Sequence, residues 1–183
     1  FLQTIFNGSS RIKSIVADLR TFSRLDEAEK KTIAVVEGIE STIRLVQTEY
    51  KHSVIFNTDF KVNPQVECWP AQLNQVFMNI LINSCQAIRS KQVNMGDECP
   101  GVITIRTLII ENQLKIEFQD TGCGMPKEAL NRLFEPFYTT KPVGEGTGLG
   151  MSVTYGIIEK HQGKISVESQ EGKGTMVTLL IPL

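Results

Sequence analysis

The sequence predicts an α+β domain: a mixed, mostly antiparallel sheet with helices on one face, preceded by one long helix. Three observations carry this. VITIRTLII and LKIEFQD flank Glu111-Asn112-Gln113 as an antiparallel hairpin, and KISVES and TMVTLLIPL, joined by the glycine turn QEGKG, close the chain as a second. WPAQLNQVFMNILINSCQAIRS sets Leu73, Val76, Phe77, Ile80, Leu81, Ala87 and Ile88 at helical spacing, starting near Pro70 where proline is tolerated. Ahead of both, Phe1, Ile5, Ile12, Ile15, Leu19 and Phe22 follow a heptad-like rhythm that Gly8 interrupts. So narrow a stripe suits a partner helix in a coiled coil or four-helix bundle, or an amphipathic helix on its own domain.

At 183 residues the chain is long enough for one domain of about 100–150 residues and an appendage. With 19 basic and 20 acidic residues the formal net charge is −1, so the overall balance draws the chain to neither nucleic acid nor an anionic membrane. Cys68, Cys85, Cys99 and Cys123 stand far apart with no C-x-x-C pair, a pattern for reduced thiols in a cytosolic setting rather than for disulfides or a metal knot. No apolar run reaches the roughly 18–20 residues of a membrane span, and no signal peptide is visible. The first residue is Phe1 rather than methionine, so the chain is expected to be a cytoplasmic piece of a longer protein, itself either membrane-anchored or soluble.

In order along the chain, SRLDEAEKK reads as a connector, with the linker placed at residues 26–31. TIAVV reads as a strand, Ile39 to Tyr50 as a helix with Ile39, Ile43 and Val46 on one face, VIFNTDF as a strand, and Asn63-Pro64 as a turn. KQVNMGDECPG, residues 91–101, reads as a polar loop. Lys127 to Leu133 reads as a short helix, and Leu149 to His161 as a longer one capped near Gly163.

The chemistry gathers between Asp120 and Gly150. Asp120 ends a strand beside Gly122 and Gly124, and about twenty residues later Gly146, Gly148 and Gly150 open a helix. Glycine lets backbone approach a ligand closely, and a glycine-rich turn feeding a helix N-terminus offers free N–H groups to phosphate. The stretch therefore reads as a nucleotide pocket, and the long segment from Met125 to Glu145, with Pro126, Pro136 and Pro142, as its movable cover. Asn79 and Asn83, four apart, project from one helix face; they either satisfy neighbouring backbone or water, or reach a ligand. His52 and His161 have no orienting partner nearby and are expected to be structural or surface residues, and Cys123 to pack as a small apolar group.

In sequence order, Asn79-x-x-x-Asn83, Asp120-Thr-Gly-Cys-Gly124, Phe134-Glu-Pro-Phe-Tyr-Thr-Thr-Lys141 and Gly146-Thr-Gly-Leu-Gly150 resemble the N box, first glycine box, F box and second glycine box of sensor histidine kinases. Those kinases share the GHKL superfamily with gyrase, a heat-shock chaperone and mismatch-repair ATPases. The wording FYTTKPVGEGTGLGMS is closest to the nitrogen-regulation sensor type. The resemblance covers roughly residues 32–183, and RIKSIVADLRTFSR within residues 1–25 resembles the second helix of the family's dimerisation and phosphoacceptor hairpin. The first helix, with the phosphoacceptor histidine, is not in this chain.

What the resemblance implies is a two-layer α/β sandwich that binds ATP and Mg²⁺. Asp120 would accept the adenine amino hydrogen, with Gly122 and Gly124 lying against the purine and Thr175 assisting through water. Asn83 would hold Mg²⁺ through its amide oxygen, and Asn79 would support the metal or phosphates. Gly146, Thr147, Gly148, Leu149 and Gly150 would wrap the phosphates. Lys141 would reach the β- or γ-phosphate, because Gln86 stands where many relatives carry a basic residue. Asn79 also occupies the place of the glutamate that activates water in hydrolytic members, and an amide is no base at neutral pH. The resemblance thus implies transfer of the γ-phosphoryl to a histidine rather than hydrolysis, in a homodimeric parent that feeds a response regulator and binds no nucleic acid. Alternatives are a protein-serine kinase of the same superfamily and a non-catalytic nucleotide-binding or dimerisation module.

Overall fold

The structure is a computed structural model describing residues 29–96, 99–141 and 146–183. The helix expected over residues 1–25, residues 26–28 of the 26–31 linker, and residues 142–145 of the expected cover lie outside the described residues. The elements run β1 (Lys31–Ala34), α1 (Val35–Tyr50), β2 (Val54–Phe60), β3 (Gln65–Cys68), α2 (Pro70–Met95), β4 (Gly101–Ile110), β5 (Gln113–Asp120), α3 (Lys127–Asn131), α4 (Gly150–Lys160), β6 (Lys164–Gln170) and β7 (Gly174–Pro182). Five strands form the main sheet in the order β2-β4-β5-β7-β6, and β1 pairs with β3 in a separate two-stranded ribbon. Only β2 and β4 pair in parallel within the main sheet; its other neighbours are antiparallel, as the two hairpins require.

Alternation in the strands decides which face is covered. Ile103, Ile105 and Thr107 of β4, Leu114, Ile116 and Phe118 of β5, and Val177, Leu179 and Ile181 of β7 are all buried, while their neighbours point the other way. This face packs on α1, α2 and α4, whose buried residues include Ile39, Ile43, Val46, Leu73, Phe77, Ile80, Leu81, Val153 and Ile157. α2 lies between α1 and α4 and also meets β4, β5 and β7, which explains why it is apolar around so much of its circumference. The opposite sheet face is polar, with the ion pair Lys115–Glu117 at 2.6 Å and Arg106 donating to Gln119 across the β4–β5 pair. The β4–β5 connection is a two-residue turn with Glu111 at φ 49° and Asn112 at φ 61°, the paired positive values of a type I′ hairpin.

Four local expectations need correction. TIAVV is a strand only to Ala34; Val35 and Val36 open α1 and are buried there, so core packing overrides their β-branched preference. β3 was not anticipated. α2 continues to Met95 through what reads as a polar loop, and ends where Gly96 takes φ 63° and donates its N–H to the Gln92 carbonyl. The helix expected from Lys127 to Leu133 stops at Asn131.

His161 is structural, as expected, though it is buried rather than on the surface. Its Nε2 accepts from the Trp69 N–H at 3.1 Å, and its Nδ1 lies 2.8 Å from the Ile157 carbonyl, so the ring must carry its proton on Nδ1. It therefore joins the end of α4 to the start of α2. Burial is the main cause that pushes its pKa down. The unfolded chain then takes up the proton more readily, and stability is lost as pH falls through the unfolded value of about 6.5 toward the lower folded one. Urea unfolding between pH 8 and 5 should show this slope, and His161→Gln should reduce it; the same slope in both proteins would contradict the assignment. His52 is exposed in the turn after α1.

Candidate nucleotide site

The β5 alternation that buries Leu114, Ile116 and Phe118 continues by one step to Asp120, which is only 5% exposed. A carboxylate is thus delivered into the helix-covered side of the sheet by strand periodicity alone. Its Oδ1 accepts from the backbone N–H of Gly122 at 2.8 Å and of Thr175 at 3.2 Å, and the Ser84 hydroxyl also bonds the carboxylate. Burial pushes its pKa up; those bonds and the charge of Lys91 oppose the rise. Two backbone donors thus converge on one oxygen.

The loop after Asp120 is stitched into its surroundings. Cys123 donates its N–H to the Ala87 carbonyl of α2 at 3.1 Å, Gly172 donates to the Cys123 carbonyl at 2.7 Å, and Met125 donates to Ser169 Oγ at 2.9 Å. Ser169 Oγ in turn meets Thr175 Oγ1 at 2.9 Å. Gly124 sits at φ 67°, and a Cβ there would run into the Gln170 carbonyl. The protein's own β6–β7 turn therefore requires glycine at this position, before any purine is considered. Cys123 is half-buried and its thiol is pushed up by burial, in keeping with a packing role. Cys68 and Cys85 are buried, with thiols pushed up to about 11 and about 12.

Two stripes of α2 face this region. Asn79, Asn83 and Gln86 follow one another at i, i+4 and i+7, and Ser84, Ala87 and Lys91 do so at i, i+3 and i+7. Asn79 donates its amide to the Gly150 carbonyl at 3.0 Å and to Thr154 Oγ1 at 3.2 Å, fixing the first turn of α4 against α2. Its observed bonds are structural, one of the two roles the sequence left open. Asn83 Oδ1 accepts from the Lys141 ammonium at 3.0 Å, and Gln86 Oε1 accepts from the same nitrogen. Two neutral amide oxygens therefore converge on one positive charge. This donor set fits Mg²⁺, which takes neutral oxygen ligands, keeps several waters and shares phosphate oxygens. Among the described residues no three His, Cys, Asp or Glu side chains converge as a metal centre.

At the second glycine cluster, Leu149 precedes α4 without a side-chain cap, and its N–H bonds Thr147 Oγ1 at 3.3 Å. The F box reaches this cluster through one backbone bond, Phe137 N–H to the Gly148 carbonyl at 3.0 Å. Both residues have positive φ, 66° for Phe137 and 68° for Gly148. A Cβ at Gly148 would strike the Phe137 backbone. Gly146 packs beside Thr139 and Lys141. The rest of the F box is held by its neighbours: Phe134 packs tilted against Tyr155 of α4 at 5.3 Å, and Arg132 pairs with Glu135 at 2.8 Å and lies over Tyr138.

The sequence-predicted residues thus fall into two groups. Asp120, Gly122, Gly124 and Thr175 meet at one end, and Asn79, Asn83, Lys141 and the Gly146 to Gly150 segment at the other, with α2 spanning both. Lys91 and Ser84 went unnoticed in the sequence, although their spacing from Ala87 along α2 is visible in it. Lys91 Nζ donates to the Thr121 carbonyl at 3.0 Å and to the Gly172 carbonyl at 2.9 Å.

Comparison with known proteins shows the family to which the chain belongs. The model of the family described as histidine kinase-, DNA gyrase B-, and HSP90-like ATPase matches residues 70–183. The chain is 36% identical over 188 residues to sporulation kinase E of Bacillus subtilis (strain 168), covering 100% of this chain and 24% of that protein. It is 32% identical over 187 residues to the signal transduction histidine-protein kinase AtoS of Escherichia coli (strain K12), covering 100% of this chain and 29% of that one. The chain thus spans about a quarter of the length of such curated relatives. Among solved structures, the nucleotide-free catalytic domain of histidine kinase ThkA superposes with a TM-score of 0.70 at 28% identity, covering 84% of this chain and 95% of that one. The chain belongs to the histidine kinase-, DNA gyrase B-, and HSP90-like ATPase family, and its ATP-binding catalytic domain is of the sensor histidine kinase type.

Proposed function

We propose that this chain is the part of a two-component sensor kinase that binds Mg·ATP and presents the γ-phosphoryl to a histidine carried on a dimerisation helix outside it. The observation that carries the reading is Asp120: a buried carboxylate with two backbone donors gathered on one oxygen, at the end of a core strand. A carboxylate suits the donor-bearing edge of adenine, and Asp120 would orient the base there. Gly122, Gly124 and Thr175 would complete the base end, with the two glycines also meeting the packing demands of their neighbours. Asn83, with Gln86 beside it, would hold Mg²⁺, and Lys141 would leave these amides for a phosphate oxygen. Gly146, Thr147, Gly148, Leu149 and Gly150 would offer backbone to the phosphates, and Asn79 would hold that segment in place through its bonds to α4. When bound, the metal neutralises phosphate charge and draws electrons from the transferring group.

The γ-phosphoryl passes to an imidazole nitrogen, ADP keeps the bridging oxygen with its electron pair, and the imidazole proton goes to solvent. Asn79 supplies no base for water, so transfer should outrun hydrolysis. On this reading residues 1–25 are the second helix of the dimerisation hairpin, 26–31 a linker and 32–183 the catalytic domain. The parent is a homodimer and the phosphoryl passes on to a response regulator. Among the described residues no helix is long and apolar enough to cross a membrane.

Mixing the chain with a polypeptide that carries the complete phosphoacceptor hairpin and radiolabelled ATP tests this. Acid-labile, base-stable label on the hairpin is expected. Acid-stable label on serine would favour a serine kinase, and ATP binding without any transfer would favour a non-catalytic module.

A further inference from the structure

Lys91 lies on α2 beyond the two asparagines, at the base end of the site, and none of the roles above uses it. Its ammonium bonds carbonyls 30 and 81 residues away in sequence, Thr121 in the loop after β5 and Gly172 in the β6–β7 turn. These two segments flank Asp120 and supply its backbone donors: Gly122 follows Thr121 directly, and Thr175 follows Gly172 by three residues. Gly172 is held at both of its peptide groups, by its N–H to the Cys123 carbonyl and by its carbonyl to Lys91. One cation therefore spans the two walls of the base end and ties both to the helix that carries Asn83.

We propose that Lys91 is a positioning residue for nucleotide binding: it holds the Thr121 to Gly124 loop and the β6–β7 turn at the separation a purine needs over Asp120, and so sets affinity for the base without touching it. The inference rests on the nucleotide reading of the site. A lysine that merely fastened two surface loops would contribute to folding and leave the carboxylate between them unaffected. Lys91 does more, because its charge acts on Asp120. The groups facing Asp120 are Ser84, Cys85 and Lys91 from α2, the Gly122 amide and Cys123 thiol from the loop, and the Thr175 amide from β7. Lys91 is the cation among them, and it offsets part of the burial that favours the protonated acid. Without it, Asp120 takes up its proton at higher pH and becomes a poorer acceptor for an amino group.

Calorimetric titration of Mg·ADP into the wild-type chain, Lys91→Met and Lys91→Arg between pH 5 and 8, with melting curves of each, tests the proposal. Methionine keeps the length and apolar stem without charge or donors, and arginine keeps both. Lys91→Met should bind about tenfold more weakly near neutral pH, a loss of the size expected for a charge-assisted bond. Its acid limb of binding should lie at higher pH than in wild type, and Lys91→Arg should recover most of both. Wild-type affinity in Lys91→Met would overturn the proposal, as would weaker binding with an acid limb superimposable on that of wild type. Failure of the wild-type chain to bind Mg·ADP at any pH would instead overturn the nucleotide reading itself.

Discussion

Replacing Asp120 with asparagine should remove measurable Mg·ADP binding from a chain that melts at a higher temperature than the original. The two effects have one origin. Gly122 and Thr175 both donate to Oδ1, so an asparagine keeps its oxygen on that side and turns its NH₂ toward the base. Donor then faces donor, and the loss combines a charge-assisted acceptor worth about 1.5–3 kcal/mol with the desolvation cost of an unpaired adenine amino group, roughly a 100-fold or greater fall in affinity. Stability moves the other way. Burial raises the Asp120 pKa, so the folded state takes up its proton more readily than the unfolded chain. Stability then falls as pH rises from the unfolded carboxylate value of about 3.9 through the raised folded one, and the full cost is present at neutral pH. Asparagine carries no such cost, so the variant should melt at a higher temperature than the original. Calorimetry of ADP binding beside thermal melts reads both; a variant that loses binding and melts lower would mean that Asp120 serves the fold rather than a ligand.

Asn83→Ala should separate the metal from the base. Asn83 Oδ1 and Gln86 Oε1 face the Lys141 ammonium. On the proposed reading a metal would take the place of that charge, and the alanine variant would lack the oxygen that holds it. The gain in ADP affinity that Mg²⁺ gives the wild-type chain should then vanish, while ADP binding in EDTA stays near wild type because Asp120 and its donors are untouched. Phosphoryl transfer should fall by about 100-fold, roughly 2.7 kcal/mol of barrier. A variant that still shows the wild-type Mg²⁺ effect on ADP affinity would place the metal elsewhere.

Local periodicity made much of this architecture legible. Alternation in β4, β5 and β7 and the helical spacing of Leu73, Phe77, Ile80 and Ile88 each name the face that is buried, and Asp120 falls in step with Leu114, Ile116 and Phe118. Several of the misses share a different cause, a partner far away in sequence. α1 starts at Val35 with no side-chain cap of its own; the Val36 N–H is satisfied by Asn63 Oδ1 at 3.2 Å, 27 residues downstream. β3 is four residues long and exists by pairing with β1. The reading of Gly124 as space for a purine missed that the β6–β7 turn already fills the place of a side chain. Lys91 sat in a stretch read as loop, and only the continued helix aims it at Thr121 and Gly172.

The central claim is that one stripe of α2 serves a base held by Asp120 and the other a metal held by Asn83. A crystal structure of the chain with Mg²⁺ and a non-hydrolysable ATP analogue tests it most directly. The account predicts the adenine amino group within hydrogen-bond distance of Asp120, the metal on Asn83 Oδ1, and Lys141 moved from that oxygen to a phosphate. Adenine bound away from Asp120, or a metal coordinated without Asn83 while Lys141 still holds its amide, would contradict it.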